Sequence, residues 1–423
     1  MYHRDTQVSV EFTDYFKGPR NIYSHSKWPI FMRLHGSVVP KMIVPITFLA
    51  AWATAVTTIS KLVHNISIST VLLTMTGFVV ALALSFRSST AYERYMEGRK
   101  YWQQLQLAIR NMSRTIWIHV QERHAESADL DLLGKLAALQ LLNAFAVSLK
   151  HRLRFEPSTE YPDLQPLISN IYTFAGQADQ TALREPECSK WKLAGQALGF
   201  SFAESDPRKL IKGSKENLGN TPNEILTYIA AYVDNVFSNK TLTVGPLQNQ
   251  LVLQITVLAD VLTGVERVVN TPLPIAYSIS ISQITWMYVL ALPFQLAATL
   301  GWIAIPGTVI AGYIILGIAT IGRELENPFG EDVNDLPLDA YCHEIANDID
   351  ALTSRPAPLN NNEWMRDGGS MVLWPLSNLD YKVWERRSTE EIRAALRTKA
   401  QSRDVALQRM DTFYDGGERG QAL

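Results

Sequence analysis

Charged positions vanish from two regions of this chain. Val268 to Gly322 carries none, a run of 55 residues. As a helix this run would extend roughly 80 Å, against about 30 Å of bilayer hydrocarbon. Two membrane spans joined by a tight turn are therefore expected there. Earlier, Met42–Ser60 and Ile66–Phe86 are each uncharged and about one span long, with Lys61–Asn65 as a polar turn between them. The pattern predicts four transmembrane helices.

Beyond Phe86 no terminator appears. Arg87 to Gln121 lacks proline and repeats apolar residues at helical spacing: Tyr92, Tyr95, Trp102, Leu105, Ile109, Met112 and Ile116. One long helix leaving the membrane is the simplest reading. Leu136–Leu149 is apolar but only 14 residues long, flanked by Lys135 and Lys150, and reads as a buried helix outside the membrane. Thr221-Pro222-Asn223-Glu224 predicts a helix start, with Thr221 as cap, Pro222 in the first position and Glu224 closing a capping box. A further helix is expected from about Pro246 to Val269, and another over 338–352. Residues 354–375 read as loop and 388–410 as a charged helix. These elements divide the chain into a polar N-terminal segment (1–40), spans one and two (41–100), a helical extramembrane domain (101–274), spans three and four (275–322), an acidic turn with its helix (323–352) and a C-terminal tail (353–423).

Composition sharpens this picture only locally, since 47% hydrophobic and 19% charged residues with a net charge of −2 average over very unlike regions. Arg20, Lys27, Arg33 and Lys41 precede span one, and Arg87, Arg94, Arg99 and Lys100 follow span two, while the turn between them carries only Lys61. This asymmetry places both termini and the helical domain in the cytosol. Cys188 and Cys342 then share the reducing side, so no structural disulfide is expected. The sequon Asn65-Ile-Ser67 falls in the outer turn, close to the bilayer, while those at Asn111 and Asn239 face the cytosol. No leader peptide is expected, because the first apolar run starts 40 residues in.

Two motifs carry chemistry. Phe78, Leu82 and Phe86 recur at i, i+4 and i+8 on span two, with Gly77, Ala81 and Ser85 one residue earlier. Such a stripe serves lipid contact or helix packing. If several copies surround an axis, it instead forms an apolar constriction that gates by dewetting, and the small residues let neighbours approach. The second motif is Arg323 to Asp339, a carboxylate-dense turn directly after the last span. Its acids have two readings: an oxygen site for calcium, or a cap and turn in which Asp335 starts the following helix and Pro337 enters its first turn. Arg87, Arg94 and Arg99 either attract anions to a vestibule or are engaged by lipid headgroups and acids such as Glu93 and Glu97.

Gly36-Ser-Val-Val-Pro-Lys41, the block from Ser85 to Arg99 and Glu324-Leu-Glu-Asn-Pro-Phe-Gly330 together resemble the three best-marked regions of the bestrophins. Order and spacing agree across roughly residues 25–350. Tyr95 and Met96 stand where microbial members carry paired tryptophans. The resemblance implies an all-α membrane protein, a homopentamer around one axial pore, with Phe78, Leu82 and Phe86 as its neck. It also implies a lower constriction near the start of the helix at Pro246, for which Leu247 and Gln250 are candidates. In animal members the acidic turn holds calcium. The matching groups are the carboxylates of Asp332 and Asp335 and the backbone carbonyls of Glu324 and Asn327, although Val333 and Asn334 interrupt the acidic run here.

The expected function is passive conduction of chloride and other monovalent anions at the plasma membrane, with calcium as an optional modulator. A monovalent cation channel on the same fold is the alternative. The predicted spans hold no Asp, Glu, Lys, Arg or His, which argues against a membrane enzyme and against a proton-coupled transporter. A scaffold that only oligomerises is a further class. No basic run suggests a nucleic-acid partner.

Overall fold

A computed structural model describes residues 29, 32, 34–64, 66, 68–123, 128–176, 219–355, 369–374 and 376–400. Cys188, Asn65 and Ser67 of the first sequon and most of the N-terminal segment lie outside these residues. Among the described residues the regular structure is helical, with no extended strand. The chain divides into two compact units, Met1–Leu352 and Thr353–Leu423.

In the first unit, α1 (Val39–Leu62) and α2 (Thr70–His119) are followed by α3 (Ala128–Leu153), the short α4 (Gln165–Ile168), α5 (Thr221–Ser238) and α6 (Gly245–Asn270). The unit continues with α7 (Ile275–Leu300), α8 (Ala304–Glu324) and α9 (Leu338–Thr353). The uncharged run breaks at Gly301, whose φ of +59° suits glycine, and a single 3₁₀ turn, Gly301–Ile303, starts the return. Thus α7 and α8 form a hairpin of two spans, packed on each other and on α1.

The 50 residues of α2 make a rod of about 75 Å, far longer than one bilayer crossing. Its first half packs against α7 and α8, and its second half packs against α6. That second half buries Trp102, Leu105, Ile109, Met112 and Ile116 completely or nearly so. Gly264 of α6 lies so close to α2 that a Cβ there would sit 2.3 Å from the Tyr101 ring.

By length and apolarity α3 also qualifies as a span. However, 61% of its apolar window is buried inside the protein, against 33%, 22% and 33% for α1, α2 and the α7–α8 stretch. Its flanking lysines decide the matter. Lys135 is 2% exposed and pairs with Glu122 at 2.9 Å; Lys150 is 5% exposed and pairs with Asp163 and Asp339. All three partners lie in polar segments, so α3 is a core helix of the extramembrane domain, packed on α5.

Asn220 caps α5, one residue before the expected Thr221. Its side chain accepts from Asn223 N–H, while Glu224 accepts from Asn220 N–H and from Phe174 N–H. A carboxamide oxygen placed one position back satisfies the same orphan donors.

Sidedness follows from contacts. The side chain of Lys61, at the end of α1, approaches Gly301 in the α7–α8 turn. At the opposite end Lys41, at the start of α1, pairs with Glu324 and Asp332 at and beyond the end of α8. The start of α1 and the end of α8 therefore share one membrane face, the face from which α2 extends. In the second unit α10 (Tyr381–Glu385) is capped by Asp380, and helical residues 389–400 begin with a reciprocal Ser388–Glu391 capping box.

Candidate functional site: the apolar stripe of α2 and the acidic turn

In its membrane half α2 buries Leu73, Val80 and Leu84 and turns Phe78, Leu82 and Phe86 outward, 71%, 47% and 58% exposed. The described residues of one chain leave this stripe uncovered. Gly77 makes room within the chain: a Cβ there would lie 2.8 Å from the Tyr288 hydroxyl of α7. Ala81 and Ser85 are exposed beside the stripe.

Leu247 and Gln250 occupy the first turns of α6 and are half-buried. Gly245 and Pro246 are exposed at the helix start, and beyond Leu247 the exposed positions up to Asp260 are Asn249, Val252, Leu253, Thr256 and Asp260, a stripe offset from both candidates.

The acidic turn is strapped to α2. Two α2 arginines seven residues apart hold Glu326: Arg87 pairs with its carboxylate at 3.5 Å, and Arg94 donates to its backbone carbonyl at 3.2 Å. Arg94 also donates to the carbonyls of Val268 and Thr271, which the end of α6 leaves without helical partners. Phe329, fully buried, seats its ring on Gly98, where a Cβ would come within 2.8 Å. Arg99 lies 4.5 Å over the Tyr341 ring. Further along, Arg110 grips Glu344 and Asp348, each at 2.6 Å. All three arginines near the membrane edge are thus engaged within the chain. Glu97, expected to serve one of them, pairs instead with Arg267.

Inside the turn, Lys41 reaches Glu324 at 2.8 Å and Asp332 at 3.0 Å. Asn334 donates to the other Glu324 oxygen and to the carbonyl of Gly36, so this interruption of the acidic run docks the segment before α1. Asp335 is buried and accepts from the amide of Asp332 at 2.8 Å. It closes the turn itself and does not cap α9, which starts three residues later. Burial raises the Asp335 carboxyl to about 7, aided by Asp332 and Glu324 and opposed by the Asp332 amide and Lys41. The Asn327 side-chain oxygen is buried with no donor.

A second polar cluster joins α3 to the start of α9. Asp339 accepts from Lys150 and Arg154, each at 2.7 Å. Burial works against the charge, but these two hydrogen bonds prevail and hold its carboxyl at about 2. Cys342 on α9 is a free thiol, pushed up to about 12 by burial.

Helical spacing picked out the stripe, and carboxylate density after the last uncharged run picked out the turn. Both missed Glu326 as the gripped residue and Lys41 as the internal counterion, because partners about 230 to 290 positions apart leave no local pattern.

Residues 20–351 match the family model described as Bacterial/Fungal Bestrophin protein. A voltage-dependent anion channel-forming protein of Synechocystis sp. is 32% identical over 327 residues, spanning 77% of this chain and 92% of that one. A protein of the same description from Nostoc sp. is 32% identical over 325 residues, 77% and 91% of the two chains. Among solved structures, a bacterial bestrophin homologue from Klebsiella pneumoniae superposes with a TM-score of 0.55 at 22% identity, covering 74% of this chain and all of that one. The chain belongs to the bacterial and fungal bestrophin family.

Proposed function

We propose that this protein is a passive anion channel. Several copies, five by the family resemblance, surround an axis with α2 innermost, and Phe78, Leu82 and Phe86 form a dry neck. The observation that carries this reading is the exposed stripe on α2, apolar along its whole length and opposite a buried face. Rings of such side chains exclude water until they part, and the weakly positive aromatic edges favour a passing anion. The relatives named as anion channel-forming proteins support the charge preference. The positive-inside asymmetry puts the extramembrane domain in the cytosol. Leu247 and Gln250 are kept as lower-constriction candidates, with the α6 stripe from Asn249 to Asp260 as the surface they adjoin.

Calcium enters this reading as a modulator. Asp332, Asp335, the unpartnered Asn327 oxygen and the backbone carbonyls of Glu324 and Asn327 are hard oxygen donors of the type it takes. The bound ion would supply charge neutralisation at the strap that ties the turn to α2. It would compete with Lys41 for Asp332 and require Asp335 ionised.

The test is single-channel recording of Phe78→Ala, Leu82→Ala and Phe86→Ala combined. The widened neck should stay wetted and conduct constitutively, while Leu82→Arg should block. Gating like wild type in the triple variant would remove the neck assignment. A calcium response that survives Asp332→Ala with Asp335→Ala would remove the calcium role.

A further inference from the structure

The arginines of α2 nearest the membrane edge are engaged within the chain: Arg87 and Arg94 hold the acidic turn, and Arg99 lies over Tyr341. Two other charges on the same helix are not. Lys100 stands about five whole turns after Leu82 at 3.6 residues per turn, on the same line along the helix. Ser89, Glu93 and Leu107 also fall within about 20° of that line. All four are exposed, as Leu82 is. The stripe therefore does not stop at Phe86. It runs on outside the membrane along α2, which has no proline in its 50 residues.

Among the described residues, the side chains of Glu93 and Lys100 have neither an ion pair nor a hydrogen-bond partner. They are the free charges on the line itself, about 10 Å apart along it. Lys100 has the longer reach, since its ammonium is carried on a flexible four-carbon stem. Arg114, exposed about 40° to one side, donates to Asn111 and to the Arg110 carbonyl, so no acid answers it. On the other side of the line, where α6 packs, the charges form a seam. There Arg267 pairs with Glu97, and Asp260 accepts from Gln104 at 3.2 Å.

We propose that Lys100 sets the charge preference of the ion path by drawing anions into its extramembrane section, and that Glu93 opposes it. The inference rests on the reading of α2 as the innermost helix, which turns each position on the line into a ring. Phe78, Leu82 and Phe86 carry no formal charge, so an ion leaving the neck first meets formal charge at these two rings. Like charges lining a cleft with low-dielectric walls concentrate counter-ions. The spacing of the two rings is close to one screening length, about 10 Å at 0.1 M salt, so they act on the ion in turn and do not cancel.

The test is a charge series at both positions, read as the chloride-to-potassium permeability ratio of the purified full-length protein in a planar bilayer. Lys100→Gln should lower the ratio by about threefold or more, Lys100→Glu should lower it further, and Lys100→Arg should keep it. Glu93→Gln should raise it. These shifts should be largest in dilute KCl and fade towards about 1 M, where the screening length is about 3 Å; a packing defect would not follow salt in this way. Wild-type protein that does not conduct would remove the channel reading and this inference with it. A conducting channel with the same ratio in Lys100→Glu as in wild type would leave the channel reading standing and overturn the role of Lys100. If the Lys100 variants do not assemble, Glu93→Gln decides: an unchanged ratio, or a lower one, overturns the proposal.

Discussion

Arg94 joins three segments with one side chain: it extends from α2, donates to the carbonyls that end α6, and donates to Glu326 of the acidic turn. Two of these acceptors are part-buried and the Thr271 carbonyl is exposed, so water can replace part of what is lost. Arg94→Ala should therefore destabilise the protein by about 1–3 kcal/mol, and Arg94→Lys should recover only part, because one ammonium cannot reproduce the planar fork. Chemical denaturation of the three proteins measures this. Asp339 has a different signature. Its carboxyl is held at about 2 in the folded protein against an ordinary 3.8, so its contribution is complete above about pH 4 and disappears as the pH falls towards 2. Asp339→Asn should flatten that part of the melting-temperature profile and lower stability at neutral pH; an acid limb as steep as in wild type would contradict the assignment. Neither role was legible in the sequence. Backbone acceptors have no residue signature, Lys150 read only as the flank of an apolar run, and nothing local ties Arg154 to a residue 185 positions away.

Elements read more clearly than their partners. The uncharged runs locate α1, the first half of α2, and the α7–α8 hairpin, since a charge-free stretch longer than a bilayer has few other homes. Periodicity also carried α2 straight through the membrane edge, because nothing after Phe86 stops a helix. The 14-residue length of its apolar run already set α3 apart from a span, and the ion pairs at Lys135 and Lys150 give the structural reason. Packing between elements was silent. Gly264 in mid-helix would ordinarily gain about 1 kcal/mol on replacement by Ala. Here the added methyl meets the Tyr101 ring, so Gly264→Ala should lose about 1–3 kcal/mol instead, and Tyr101→Ala in the same chain should remove most of that penalty. A stabilising Gly264→Ala would show that α2 and α6 are not so closely apposed.

At the scale of the whole molecule, a membrane bundle contains one helix too long for it. That helix carries an apolar stripe in the membrane and a strap of acidic turn and α9 outside it, from Arg87 to Arg110. The strap and the stripe therefore sit on one continuous helix with no proline between them. The stripe was visible in the sequence and the resemblance suggested its use, but the strap exists only in the fold. Passage of anions through this assembly is tested most directly by the reversal potential of the purified protein in a planar bilayer under a KCl gradient. A reversal near the chloride equilibrium potential is the predicted result. A reversal near the potassium potential would contradict it and assign the pore to cations.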